Sequence, residues 1–453
     1  MAIGKPSMEV LQKEWVSPPP GSVPGTTLPL SFFDVCWLPM PPVQCLLFYE
    51  LPISARNFQF KQFPTLAHAL SLSLQLFYPL AGNLTRSRDS EDHVITYGNG
   101  DGVWLTLAQS EGELSHLVAD GPRDVTLFHH LVPRLVTSET EGEEKKPLLA
   151  LQLTIFPGSG ICMGVTLHHV VADGSSTFHF MKSWASIFLA GGGDVSVVKP
   201  VPLFDRTLVG DVEELKRNFL TQLKRYKSPV KLEKRRPTDR LVLSSFPLSG
   251  AQIQKLRDRV SSTAPDTGPN MSKFMVACAY IWCCLVEARG PGDRKNLHFG
   301  WVAGCRARLN PPVPVPYFGN CIRPAFVQST ETELRRATGL ATASAAIQRG
   351  VWELDKGVLK GATSWTQRCL AFASPSANTL TVAGSPKLRI YETDFGWGPP
   401  RKVEIISIES TGAMSLLESR GDEEGLEIGL VGSESEMENF AAIFKRGIGP
   451  VSS

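Results

Sequence analysis

The sequence predicts an α/β protein of two similar-sized domains, each built on a mixed sheet, joined by a long crossover. Strand-like and helix-like runs alternate in both halves of the chain. A stretch from Lys199 to Arg235 is rich in proline and charge and lacks a dominant apolar period, which fits a connection between domains. The chain has 453 residues, 42% of them hydrophobic, enough to bury more than one core. The expected division is 1–198, a crossover at 199–235, and 236–453. No sequence repeat relates the two halves.

In the first half, Glu9 to Val16 and a Pro/Gly stretch from Pro18 to Pro24 lead into an extended run, and Cys45 to Leu51 reads as strand. Thr65 to Phe77 carries Leu66, Ala69, Leu70, Leu74 and Phe77 at helical spacing. Thr137 to Lys146 is polar and charged and is expected to be an exposed loop. Ala150 to Phe156 and Ile161 to Leu167 read as two strands of a hairpin turned by Pro157-Gly158-Ser159-Gly160. Past Gly174, Ser175 or Ser176 is expected to cap a helix whose stripe of Phe178, Met181, Trp184 and Phe188 packs into a core, ending at Gly191-Gly192-Gly193. Within the crossover, Val212 to Tyr226 is expected to form a short helix.

The second half opens with a strand at Leu241 to Phe246 and a helix at Ala251 to Val260. Ser272 starts a strongly apolar helix running through Cys284 or beyond. Leu297 to Ala303 reads as strand and Thr332 to Leu354 as one helix. Short strands are expected at Leu380 to Ala383, Leu388 to Tyr391, Val403 to Ile408, Met414 to Leu417 and Leu426 to Val431. A last helix begins at Ser433, with Glu436 three residues on completing a capping-box pattern.

Composition narrows the class of function. Lys+Arg is 46 against Asp+Glu 44, a formal charge of +2 with no long basic run, so nothing favours nucleic acid or an anionic membrane. Nine scattered cysteines (Cys36, Cys45, Cys162, Cys278, Cys283, Cys284, Cys305, Cys321 and Cys369) sit mostly in apolar runs without a C-x-x-C pair. They read as reduced thiols rather than a disulfide frame or zinc site. Met1 to Pro20 lacks a charged-then-apolar signal pattern. No apolar run approaches the roughly 20 residues needed to span a bilayer. The expectation is a cytoplasmic monomer.

The chemistry is concentrated at His169 and Asp173, in Leu167-His168-His169-Val170-Val171-Ala172-Asp173-Gly174. A histidine just past a strand end, pointing into a cleft, suits a general base acting on a hydroxyl or amine. Adjacent strand residues point to opposite faces, so only one of His168 and His169 faces the cleft. A second motif, Asp394-Phe395-Gly396-Trp397-Gly398, lies far downstream. Leu30-Ser31-Phe32-Phe33-Asp34 and Tyr78-Pro79-Leu80-Ala81-Gly82-Asn83 precede both, and Tyr317-Phe318-Gly319-Asn320-Cys321 follows a proline-rich loop at Pro311 to Pro316.

Together these motifs, in this order and across essentially the whole chain, resemble the plant BAHD family of acyl-CoA-dependent acyltransferases. The Tyr317–Cys321 motif resembles the branch that acylates anthocyanins, other flavonoids and phenolic glucosides, often with malonyl groups; no chemistry is assigned to it. The resemblance implies two domains of chloramphenicol-acetyltransferase-like fold with an active-site tunnel between them. It picks His169 as the general base and leaves His168 structural. Asp173 at this spacing admits orientation of the His169 ring, as in a triad; the resemblance implies instead a structural ion pair with an arginine, and Arg306 and Arg308 are the candidates. It implies a structural role for Asp394, Phe395, Gly396, Trp397 and Gly398, near the CoA side of the tunnel. The branch often has aspartates where this chain has Gly304 and Asn310, which puts the finer substrate in question.

CoA carries several phosphates and needs N–H or cationic donors. Ser272 and Lys273, at a helix N-terminus, fit both; Arg401 and Lys402 are weaker candidates. No metal, haem or nucleotide motif stands out, so acyl-CoA, with malonyl-CoA first, is expected as co-substrate and no bound cofactor. The expected acceptor is a sugar hydroxyl of a flavonoid or phenolic glycoside. A hydroxycinnamoyl-CoA donor on similar acceptors is the alternative, and a non-catalytic acyl-CoA or phenolic binding protein a remote one.

Overall fold

The computed structural model describes residues 7–86, 92–140, 143–210, 212–225, 240–265, 271–292, 296–372 and 378–449. Two large mixed sheets and one small sheet, flanked by helices, make an α/β fold of two domains. The N-terminal sheet runs, in spatial order, Met8–Val16, Val103–Ser110, Leu149–Phe156, Gly160–Leu167, Val43–Glu50 and Lys402–Ile405. The hairpin at its centre pairs Leu149 with Leu167 and Phe156 with Gly160. Every residue of these two strands is buried, which is why they read as unbroken apolar runs: a strand covered on both faces has no solvent side to alternate with. The helices Phe63–Leu76 and Gly174–Leu189 pack together, and Trp184 Nε1 donates to the Leu66 carbonyl at 3.0 Å.

The C-terminal sheet runs Ile322–Ser329, Leu297–Gly304, Thr379–Ala383, Met414–Ser419, Asp422–Ser433, Leu241–Leu248 and Arg123–Asp124. The helices Gly250–Thr263, Lys273–Ala288, Gly339–Asp355 and Glu434–Ile448 share its apolar core. Five short strands, Thr26–Pro29, His93–Tyr97, Asn83–Arg86, Glu143–Pro147 and Ser138–Thr140, form the small sheet.

Two strands cross the sequence division. Lys402–Ile405 pairs with Val43–Glu50 and completes the N-terminal sheet. Arg123–Asp124 pairs with Leu241–Leu248 and completes the C-terminal one. Between these exchanges Arg123, 1% exposed, donates to Glu404 at 2.7 Å and to Ser245 Oγ at 2.9 Å. Such a buried pair does most through the cost of breaking it, since the remaining charge is left unpaired.

Several elements differ from the sequence reading. Ser138–Thr140 and Glu143–Pro147 form an antiparallel hairpin rather than the loop expected over Thr137 to Lys146; this edge of the small sheet has no apolar alternation to betray it. Leu388 to Tyr391 is not a strand: the short 3-10 turns Pro386–Leu388 and Ile390–Glu392 flank Arg389, held at φ 51°, which extended backbone excludes. The strand expected over Val403 to Ile408 stops at Ile405, and Ile408 begins a one-turn helix. The helix expected over Thr332 to Leu354 is two, Glu331–Leu334 and Gly339–Asp355; the chain turns so tightly between them that a Cβ at Gly339 would meet the Leu334 carbonyl oxygen at 2.1 Å. The crossover helix is Glu213–Arg225; Tyr226, position 211 and the rest of the expected crossover, 227–235, lie outside the described residues.

Candidate active site

His168 and His169 follow the end of the strand Gly160–Leu167, where the His168 N–H still bonds the Leu148 carbonyl at 2.9 Å and the chain then turns. The helix Gly174–Leu189 begins five residues after His169. Its cap is Asp173 itself, not Ser175 or Ser176: the Ser176 N–H donates to Asp173 Oδ1 at 3.0 Å. A short polar acceptor before the first helical residue satisfies an otherwise orphaned N–H, and aspartate also suits the positive end of the helix.

The half-buried His169 ring stacks on Trp37, centroids 3.8 Å apart and planes within 12°. Its Nδ1 lies 3.1 Å from Asn320 Oδ1. Asn320 is fully buried, and its amide nitrogen is claimed by three groups that can only accept: Asp34 Oδ1 at 2.9 Å, the His169 carbonyl at 2.9 Å and the Val170 carbonyl at 3.2 Å. The amide orientation is thereby fixed, with the oxygen toward the ring. His169 must then donate through Nδ1–H, which leaves the lone pair on Nε2. Burial first of all pulls the His169 pKa below its ordinary 6.5, and Asp173, Asn320 and Asp34 pull back only in part. The ring is a neutral base near neutral pH.

Asp34 anchors the other end of this chain. It accepts from the Asn320 N–H at 3.1 Å, and its other oxygen takes the Ser31 N–H at 2.9 Å and hydroxyl at 2.8 Å and faces Arg206 Nε at 3.3 Å. Arg206 also donates to the Phe318 carbonyl.

Asp173 does not bond the His169 ring. Arg306 grips it in fork geometry, Nη1 to Oδ2 at 2.6 Å and Nη2 to Oδ1 at 3.0 Å, and the Cys321 N–H adds a bond at 3.1 Å. Arg306 continues to Ser176 Oγ at 3.0 Å and to the Gly319 carbonyl at 3.1 Å. Of the two expected partners, Arg308 is elsewhere, paired with Asp355 at 3.1 Å. The Tyr317–Cys321 motif, to which the sequence reading assigned no chemistry, therefore supplies both the His169 partner and three contacts of the Asp173–Arg306 pair: the Cys321 N–H, the Gly319 carbonyl and the Tyr317 carbonyl, which Arg306 Nη2 reaches at 3.3 Å. Asn320 and Asp34 are the residues that reading missed; both stood inside quoted motifs, but Asn320 lies 151 positions from His169 and only the fold brings them together.

His168 turns the other way. Its Nδ1 accepts the Val170 N–H at 3.3 Å. Burial, with the charges of His169, Lys146 and His93 around it, pushes its pKa down to about 4.

The Asp394–Gly398 segment packs against the N-terminal domain. Phe395, 1% exposed, meets Trp184 at 5.0 Å and Trp397 at 5.1 Å between ring centroids. Trp397 Nε1 donates to Gln62 Oε1 at 2.8 Å, and Tyr49 donates its hydroxyl proton to the Thr393 carbonyl at 2.9 Å. Asp394 accepts the Gly396 N–H at 2.7 Å, and Gly396 and Gly398 both stand at φ 82°, conformations that side chains resist. This geometry is packing and turn-making; among the described residues, no hydrogen bond or ion pair joins the segment to His169.

Ser272 caps the helix Lys273–Ala288 through a bond from the Met275 N–H at 3.3 Å, and Lys273 reaches the Glu423 carbonyl. Arg401 lies 3.3 Å from Glu50. Lys402 is no CoA ligand: it is 3% exposed and its ammonium is committed to Asp120 at 2.6 Å and to Glu427. All nine cysteines are free thiols. Among the described residues, no cluster of three or more His, Cys, Asp or Glu is arranged for a metal, and no helix is long and apolar enough to cross a membrane.

A family model described as the Transferase family matches residues 7–446. The chain belongs to this family. It is the acyltransferase family whose motifs the sequence carries, and the protein is accordingly an acyltransferase. A coumaroyl-CoA:anthocyanidin 3-O-glucoside-6''-O-coumaroyltransferase of Arabidopsis thaliana is 34% identical, over 97% of each chain. A malonyl-coenzyme A:anthocyanin 3-O-glucoside-6''-O-malonyltransferase of Dahlia pinnata is 34% identical over 98% of each. Phenolic glucoside malonyltransferase 1 of Nicotiana tabacum is 34% identical over 97% of this chain and 99% of its own. Among solved structures, vinorine synthase shares the fold with a TM-score of 0.67 at 22% identity, over 96% of each chain. TRI101 of F. graminearum, complexed with coenzyme A and T-2 mycotoxin, shares it with a TM-score of 0.68 at 16% identity, over 92% of this chain and 97% of its own.

Proposed function

We propose that this chain transfers an acyl group, malonyl first, from CoA to a sugar hydroxyl of an anthocyanin, flavonoid or phenolic glucoside, with His169 as general base. The observation that carries the reading is the His169–Asn320 bond at 3.1 Å, which leaves Nε2 as the basic nitrogen. Relatives of 34% identity that act on anthocyanin and phenolic glucosides with CoA donors give the substrate classes.

The acceptor hydroxyl gives its proton to His169 Nε2 as its oxygen attacks the thioester carbon. General-base help of this kind is worth about 10²–10⁴-fold. The tetrahedral oxyanion collapses, the C–S bond breaks, and the imidazolium returns the proton to the CoA thiolate. Both substrates meet at one base, so no acyl-enzyme forms. Stacked Trp37 holds the ring plane and offers its π face to the transient cation. Asp173, tied to Arg306, caps the helix and fixes the turn that carries His169. Ser272 and Lys273 are assigned to the CoA phosphates. The two domains, 1–198 and 236–453 with their crossover 199–235, flank the substrate tunnel. The protein works as a cytoplasmic monomer.

A coumaroyl donor is the second reading, since a coumaroyltransferase is as similar to this chain as the malonyltransferases are. The test is incubation of the pure protein with malonyl-, coumaroyl- and acetyl-CoA against a panel of anthocyanin, flavonoid and phenolic glucosides, following thiol release and product mass. Malonylated glucoside formed by wild type and not by His169→Ala is the expected result. Thiol release that is unchanged in His169→Ala sinks the assignment.

A further inference from the structure

Among the described residues three arginines are buried: Arg123, Arg206 and Arg323, at 1%, 9% and 9% exposure. Two of them face a carboxylate, Arg123 at Glu404 and Arg206 at Asp34. Arg323 does not. Its Nη1 donates to the Val358 carbonyl at 2.7 Å and its Nε to the Pro324 carbonyl at 3.2 Å, both neutral acceptors. Its guanidinium lies 4.7 Å over the Trp365 ring. Burying a charge without a counter-charge is costly, and a second cation makes this one costlier. Arg368, one turn along the helix Trp365–Phe372, lies over Phe326 and Phe372 at 5.4 and 5.9 Å. Burial first, and then the Arg368 charge, lowers the Arg323 pKa against a raising effect from Cys305. Among the described residues no carboxylate pairs with either arginine.

Arg323 lies on the strand Ile322–Ser329, which begins beside the reaction centre, and the helix Trp365–Phe372 packs on the segment that carries Asp34 and Trp37. Asn320, three residues before Arg323, holds the His169 ring, and Cys321 holds Asp173. On the helix, Trp365 stacks on Phe33 at 6.2 Å, beside Asp34. Thr366 and Cys369 adjoin Cys36, the neighbour of the Trp37 that covers His169.

We propose that Arg323 and Arg368 form a carboxylate subsite beside the acyl-transfer centre, filled by a free carboxylate of a substrate. Guanidinium groups match a carboxylate in fork geometry, and the rings of Trp365, Phe326 and Phe372 hold their planes. Two substrates present this group: the malonyl end of the donor, or an acceptor that already carries an acid. The inference rests on the acyl-transfer reading for its biological meaning, but its binding test does not.

Calorimetric titration of the full-length protein with malonyl-CoA and acetyl-CoA reads the subsite whether or not thiol is released. A charge-assisted bond predicts about tenfold tighter binding of malonyl-CoA by wild type. Arg368→Gln, at the exposed end, should erase that preference, and Arg323→Lys should reduce it. If wild type prefers neither donor, titration with a glucoside and its malonylated counterpart examines the acceptor; a preference there that Arg368→Gln erases assigns the same subsite to the acceptor's acid. Equal affinities within both pairs, or preferences that survive both variants, overturn the proposal. Arg368-dependent malonyl-CoA binding with no thiol release on any acceptor would keep the subsite and retire the acyl-transfer reading.

Discussion

Asn320 and Asp34 form a relay behind His169: Asp34 Oδ1 accepts from the Asn320 amide at 2.9 Å, and the same amide presents its oxygen to His169 Nδ1 at 3.1 Å. A carboxylate thus orients the base at one remove, through a neutral group that fixes the tautomer without adding charge to the ring. Asn320→Ala should leave a folded protein whose kcat falls about ten- to a hundredfold, the worth of about 1–3 kcal/mol for a lost buried bond. KM should move little. Steady-state kinetics decide it: a change confined to KM would mean that Asn320 only shapes the pocket.

Asn320→Asp places a carboxylate against His169 Nδ1 in place of the neutral amide and should raise the His169 pKa, shifting the acid limb of the rate profile to higher pH. In the wild type that limb lies below 6.5, because burial holds the ring neutral. kcat/KM should be flat near pH 7 and fall as pH drops through the depressed pKa, where the protonated ring can no longer accept. An acid limb at or above the ordinary histidine value in wild type would contradict a buried neutral base.

Breaking the Asp173–Arg306 fork should cost stability as well as rate. Asp173 is 1% exposed and also caps the helix Gly174–Leu189, so Asp173→Asn leaves Arg306 unpaired and weakens the cap. The expected loss is about 3–5 kcal/mol, measured by urea unfolding. An inactive variant of unchanged stability would place Asp173 in the chemistry instead.

His168 sets a pH dependence of stability that is separate from catalysis. Its folded pKa, about 4, lies below the unfolded value of 6.5, so the unfolded chain binds the proton more readily. Stability from this residue is complete above 6.5 and is lost progressively as pH falls toward 4, by at most about 1.4 kcal/mol per pH unit. Thermal unfolding of wild type and His168→Gln across this window tests it; parallel curves would assign the acid loss to other groups.

Direct transfer predicts that the protein acquires no acyl group from donor alone. Intact-mass measurement after incubation with malonyl-CoA should show the unmodified chain, and initial-rate patterns should intersect as in a ternary complex. A stable adduct on a serine or cysteine would replace this mechanism with a two-step one.

The sequence carried His169, Asp173 and the central hairpin because their signals are local: a strand end, a turn and a helix start lie within a dozen residues. Asp34 and Asn320 were visible as motif letters but not as chemistry. Asn320 meets His169 across 151 positions and Asp34 across 286, and spacing says nothing over such distances. Arg306 and Arg308 looked equivalent in sequence; only the direction of the turn that bears them separates one from the other. The short edge strands were partly legible. Val403–Ile405 was read as strand though its sheet partner was not, whereas two residues at Arg123–Asp124 are too few to show a period and are a strand only by the partner they meet.

The exchanged strands also govern when this chain can finish folding. Val43–Glu50 emerges from the ribosome long before its sheet partner, Lys402–Ile405, is made. Until then the nascent N-terminal domain carries an open strand edge, a template for pairing with other chains. The domain is therefore completed only after the chain has been made through Ile405. A fragment ending in the crossover would keep that edge exposed permanently, and a late truncation that removes residues 402–405 would injure a domain whose own sequence is intact.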